Sequence, residues 1–182
     1  MSAASPERRR LRQIIEDKSL KRDRVYTLAS GEKSAYYFDM KPTTFDPEAL
    51  NLLSPMLYEM VSKIPAVYVG GLAAGAIPMV TALVLYSATR TPISGFYVRE
   101  EIKNHGTQKL IEGSLDNDAD VVIFDDVTTS GSSAMKAVDA VRSRGCRVLK
   151  VITIVDRLEG AIDRFAHEGS GFVSLFTTKD FD

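Results

Sequence analysis

The sequence predicts an α/β protein with a mainly parallel sheet of about five strands flanked by helices. Two observations carry this. Short apolar runs at residues 67–69, 121–124 and 148–155 read as strands covered on both faces, because a half-exposed strand would alternate with polar residues instead. Between them, glycine-containing turns lead into segments whose apolar residues recur at helical spacing, so the order strand, turn, helix repeats.

Each element has its own signal. Leu11, Ile14 and Ile15 share one helical face, which predicts a short amphipathic helix within the first twenty residues, its arginines turned to solvent. Two alternating stretches, 25–28 and 36–40, flank Ser30-Gly31-Glu32-Lys33 and predict a hairpin-like excursion. Asp46-Pro47-Glu48 combines a capping side chain, a proline at the first helical position and an early acid, so a helix starts there and stops near Ile64-Pro65. A further helix over 78–87 follows the glycine turn 70–75, and another, with Ala134, Ala137, Val138 and Val141 on one side, ends at Gly145.

One domain accommodates the 182 residues: an N-terminal helix and hood over roughly 1–45, then an α/β core over 46–182. The formal net charge of -1 provides no broad positive field for nucleic acid or an anionic membrane. The most apolar window, 77–88, falls short of the ~20 residues that span a bilayer. Cys146, the single cysteine, lies in a polar turn and has no partner for a disulfide, and residues 1–12 lack the apolar stretch of a secretory signal. A reducing cytoplasm is expected.

In parallel sheets ligands bind beyond the carboxyl ends of the strands. Three loops occupy such positions: 70–75, 99–106 and 125–133. The third is chemically the richest. Thr128-Thr129-Ser130-Gly131-Ser132-Ser133 follows a buried strand and opens a helix, where backbone N–H groups and the helix dipole favour an anion such as phosphate. Asp125 and Asp126 directly precede it and suit the two hydroxyls of a ribose. One ribose phosphate satisfies both features. A Walker loop is excluded because no Gly-Lys-Ser/Thr is present, and the glycine spacing does not fit a dinucleotide fingerprint.

The run from Val122 through Asp125-Asp126 to Gly131 resembles the phosphoribosyl pyrophosphate (PRPP) motif of the type I phosphoribosyltransferases. That resemblance implies the fold of this family and a PRPP site made by Asp125, Asp126, Val127, Thr128, Thr129, Ser130, Gly131, Ser132 and Ser133. It identifies the donor and leaves the acceptor base to other segments. Residues 97–107 resemble the catalytic loop of the orotate phosphoribosyltransferases, which implies that Lys103, assisted by Arg99 and His105, stabilises the departing pyrophosphate. It further implies a mobile loop over 99–113, shared across a homodimer.

Residues 30–41 resemble the hood of orotate enzymes, so Tyr37 and Phe38 are expected to stack on the pyrimidine or wall its pocket, with Thr129 also on the base side. Asp156-Arg157 ends a predicted strand, and by the same resemblance Arg157 reads the orotate carboxylate, a pairing its planar guanidinium suits. Mg²⁺ is expected to arrive with PRPP, with no direct protein ligand. The chain departs from the family at Ala29, at the lysine-free turn ending in Gly75, and at Glu100, all places where relatives often carry a basic residue. Lys33 or Lys41 could replace those charges. His167, the other histidine, lies outside every motif and is expected to be exposed.

Three other readings compete: a transferase for a purine base, a PRPP-sensing regulator that binds nucleic acid, and an interaction domain with incidental motifs. The mark of the second would be a basic face or an added DNA-binding domain, and the net charge of -1 and the short N-terminus disfavour both. Agreement between the motifs and the α/β order disfavours the third.

Overall fold

A computed structural model describes residues 5–27, 33–101 and 109–182. The chain runs through α1 (Pro6–Lys18), four two-residue strands β1 (Leu20–Lys21), β2 (Tyr26–Thr27), β3 (Lys33–Ser34) and β4 (Tyr37–Phe38), then α2 (Lys41–Thr44), α3 (Pro47–Val61) and β5 (Tyr68–Gly71). It continues through α4 (Ala76–Ser87), β6 (Ser94–Val98), β7 (Ile111–Gly113), β8 (Asp120–Thr128), α5 (Ser132–Arg142), β9 (Arg147–Asp156), α6 (Ala161–His167) and β10 (Gly171–Thr177). A 3₁₀ turn, Thr178–Phe181, follows.

The main sheet has the order β10-β9-β8-β5-β6-β7, five parallel strands with β7 antiparallel at one edge. The predicted parallel sheet is therefore present, with one additional antiparallel strand. The apolar runs behave as expected of doubly covered strands. Val122, Phe124, Ile152 and Ile154 face a core shared with Leu11, Leu53, Leu57, Met79 and Leu83. Val121, Ile123 and Val151 face the opposite core with Ala137, Val138, Val141 and Phe165. Burying each of the larger side chains contributes ~1.5–3 kcal/mol, which makes the sheet a rigid platform for its end loops.

Local signals held where the physics was local. Asp46 caps α3, its side chain accepting from the Ala49 N–H at 2.9 Å. The helix continues through Pro55 and ends at Val61, slightly before the expected Ile64-Pro65. The predicted hairpin became two small ladders: β2 pairs with β3, whereas β4 pairs with β1, which precedes the hairpin.

Two expectations are corrected by distant partners. The arginines of α1 do not simply face water: Arg8 lies over the Phe176 ring at 4.4 Å and donates to Leu175 O at 2.7 Å, while Arg12 donates to Asp180 O at 3.3 Å. These contacts tie α1 to the final strand and turn. Cys146 does not sit in a polar setting either. It is buried against α5 and β8, with Sγ 3.4 Å from Asp116 O. His167 is exposed, as expected.

Candidate active site

The carboxyl ends of β5, β8 and β9 and the small N-terminal ladders enclose a cavity of ≈ 460 Å³. Its floor is Asp125, Asp126, Val127 and Thr129; one wall is Leu72 to Gly75; the other is Tyr37 to Lys41, with Arg157 at the end and Glu100 also on the lining.

Asp125 is almost wholly buried and accepts from Thr128 Oγ1 at 2.8 Å. Burial, then the neighbouring Asp126 charge, push its pKa up to about 7, against the opposing hydrogen bond from Thr128. Burial also raises Asp126, although its carboxylate accepts from the Val127 N–H at 2.9 Å. Both acids are thus largely desolvated, each with one protein donor, and a carboxylate has capacity to accept from further hydroxyls.

The glycine turn closes tightly over this pair. A Cβ on Gly75 would meet Asp126 Oδ1 at 2.8 Å, so only glycine leaves the acid in place. At Gly131, φ is 81°, the left-handed conformation that glycine adopts without strain, and α5 begins at the next residue. Ser130 and Ser132 hydroxyls lie 2.9 Å apart at this helix entry. Of the loop side chains expected at the ribose phosphate, Thr129 and Ser133 line the cavity, whereas Thr128 turns inward to support Asp125.

Arg157 lies beyond β9, and its N–H donates to Thr128 O at 2.9 Å, joining the ends of β8 and β9. Its buried guanidinium donates to Glu159 Oε1 at 2.8 Å and Ser34 Oγ at 3.1 Å, and its carbon lies 4.7 Å from the Tyr36 ring centre. Tyr37 is 39% exposed and stacks on Tyr26 with centroids 5.4 Å apart. Phe38 packs inward against Phe181 at 5.2 Å and reaches the cavity only as wall.

Arg99 is held apart from the cavity lining by Glu112, with Nη2–Oε1 at 2.9 Å. The arms of the expected catalytic loop are described: β6 and β7 pair, and the Arg99 N–H donates to Leu110 O at 2.9 Å. Lys103 and His105 lie outside the described residues. Asp39 and Met40 were not singled out from sequence but line the wall, and Lys41, paired with Asp39 at 3.2 Å, places a cation there. Asp39 and Met40 lie within the 30–41 stretch that resembles the hood but have no signal of their own, whereas Lys41 is expected as a replacement charge.

A parallel sheet whose paired acids run into a hydroxyl-rich helix entry, beneath a glycine turn and an N-terminal hood, defines a phosphoribosyltransferase of type I fold. No family model matches the chain. Its sequence is 44% identical over 182 residues to orotate phosphoribosyltransferase of Bradyrhizobium diazoefficiens, with 97% of each chain covered. Its fold superposes on Mycobacterium tuberculosis orotate phosphoribosyltransferase in complex with Fe(III) dicitrate with a TM-score of 0.83, 35% identity, and coverage of 96% of this chain and 98% of that one. A second structure of the mycobacterial enzyme, in complex with PRPP, gives 0.80 at 34% identity, with the same coverage. The chain belongs to the orotate phosphoribosyltransferase family.

Proposed function

We propose that this cavity transfers the 5-phosphoribosyl group of PRPP to orotate, giving orotidine 5′-monophosphate and pyrophosphate in pyrimidine synthesis. The observation that carries the site assignment is the placement of Asp125, Asp126 and Arg157 on the lining of one cavity. Asp125 and Asp126 accept from the ribose hydroxyls. The N–H groups and hydroxyls from Val127 to Ser133 wrap the 5-phosphate, aided by the α5 dipole. Orotate lies between Tyr37 and Thr129, its carboxylate on Arg157.

As the bond to pyrophosphate lengthens, C1 gains oxocarbenium character and the leaving group gathers negative charge. Lys103, with Arg99 and His105, stabilises that charge, and exclusion of water from the cavity strengthens the interaction. For Arg99 this requires leaving Glu112. The cavity chemistry suits Mg²⁺ carried by the substrate. Mg²⁺ takes oxygen ligands, keeps several waters and uses few carboxylates, and Glu100 offers one to its water shell. When bound, the cation neutralises pyrophosphate charge.

A homodimer is the assembly we favour. Among the described residues, α3 and α4 border an apolar groove of ≈ 510 Å³, flanked by Phe45 at 74% and Leu85 at 77% exposure. Such a face is costly to leave in water. No described helix is long and apolar enough to cross a membrane, and we assign the enzyme to the cytoplasm. Lys103→Ala tests the chemistry: turnover of orotate should fall roughly 10²-fold or more, and an unchanged rate contradicts the assignment.

A further inference from the structure

From Asp125 to Ser133 the phosphate loop contains two acids and no basic residue, although the group it is assigned to hold is an anion. A cation reaches this loop from α6. Arg164 Nη1 donates to Ser130 O at 3.0 Å and to Ser132 Oγ at 2.8 Å. Because Ser132 and Ser130 hydroxyls are themselves 2.9 Å apart, one guanidinium braces the carbonyl and both hydroxyls of the turn.

The approach of α6 is close. Built on Gly131, a Cβ would meet the Phe165 ring at 2.8 Å and Arg164 Cδ at 3.5 Å. Among the described residues Arg164 enters no ion pair, whereas Arg142, at the end of α5, is neutralised by Glu168 at 2.8 Å. Its positive charge is therefore available to the loop. Arg164 does not line the ribose cavity and so stands on the outer side of the turn.

We propose that Arg164 is a positioning residue for the 5-phosphate of PRPP: it holds the Ser130–Ser132 turn in its anion-binding shape and supplies the charge that the loop lacks. This rests on the assignment of residues 125–133 to the donor phosphate. Since α6 begins shortly after Arg157, one short stretch of chain carries both Arg164 and the proposed base reader.

Steady-state kinetics and calorimetry on Arg164→Ala and Arg164→Lys test the idea, with orotidine 5′-monophosphate and orotidine as paired binders that differ only in the phosphate. Arg164→Ala should raise the KM for PRPP about tenfold, leaving the orotate KM and the saturated kcat within about twofold. The preference of the variant for the monophosphate over orotidine should shrink by the same factor, and Arg164→Lys should recover part of it. A variant preference equal to that of the unaltered enzyme overturns the role of Arg164. If the unaltered enzyme itself shows no preference for the monophosphate, the phosphate assignment of the loop fails instead.

Discussion

Gly75 and Asp126 come from different strand ends, yet a single added carbon on Gly75 would lie 2.8 Å from the Asp126 carboxylate. The turn after β5 thus sets the position of an acid on β8. Gly75→Val should displace Asp126 and lower kcat/KM for PRPP by roughly 10²-fold, because small misplacements of positioning groups are costly. Circular dichroism should still show the folded α/β protein. Unimpaired kcat/KM would mean that Asp126 is not a ribose contact.

Asp125 links the site to pH. Its folded pKa of about 7 lies above the ordinary 3.8, so a substantial neutral fraction persists up to neutral pH in the free enzyme. The contribution of this group to stability is fully present below the unfolded value and is lost as pH rises through about 7. In the proposed complex, ribose hydroxyls would donate to the ionised form and draw the pKa down. PRPP binding near pH 7 should therefore release protons, seen as a buffer-dependent binding enthalpy that diminishes in Asp125→Asn. Identical proton release in that variant would mean that Asp125 is not the group that ionises.

Arg157 is buried, and its guanidinium is already oriented by Glu159 and Ser34. Arg157→Leu should raise the orotate KM by roughly 10²-fold through loss of a charge-assisted pair, while the KM for PRPP changes far less. Arg157→Lys should recover only part, since an ammonium lacks the planar fork. Equal losses for both substrates would point to a structural role.

The exposed apolar face at Phe45 and Leu85 predicts dependence on a second copy. Leu85→Asp should shift the protein toward monomer in sedimentation and lower activity. If the 99–113 loop serves the partner's cavity, mixing Lys103→Ala with Arg157→Leu should restore activity that neither shows alone. A fully active Leu85→Asp monomer would rule out a shared site.

Features governed by near neighbours were legible in the sequence. The β8 apolar run, the acids ending it, the Gly131 helix entry and the Asp46 cap all act within a few residues, and each appears where its residue types require. What escaped depends on distant partners. Arg8 finds Phe176, Arg164 finds Ser130 and Ser132, and β4 takes β1 as partner, none of which leaves a periodic or spacing signal. Likewise β10 has mixed burial along its length and owes its place to pairing with β9. Thr128 belongs by sequence to the phosphate loop, but strand β8 extends through it and its hydroxyl turns to Asp125.

In the proposed site a PRPP pocket and an orotate reader share one cavity. Pyrophosphate release from PRPP, measured with orotate, adenine, hypoxanthine or xanthine in the presence and absence of Mg²⁺, distinguishes this pairing from a purine transferase. Release with orotate alone, lost on chelation of Mg²⁺ and accompanied by orotidine 5′-monophosphate, is the predicted result. Turnover with a purine but not with orotate would contradict it.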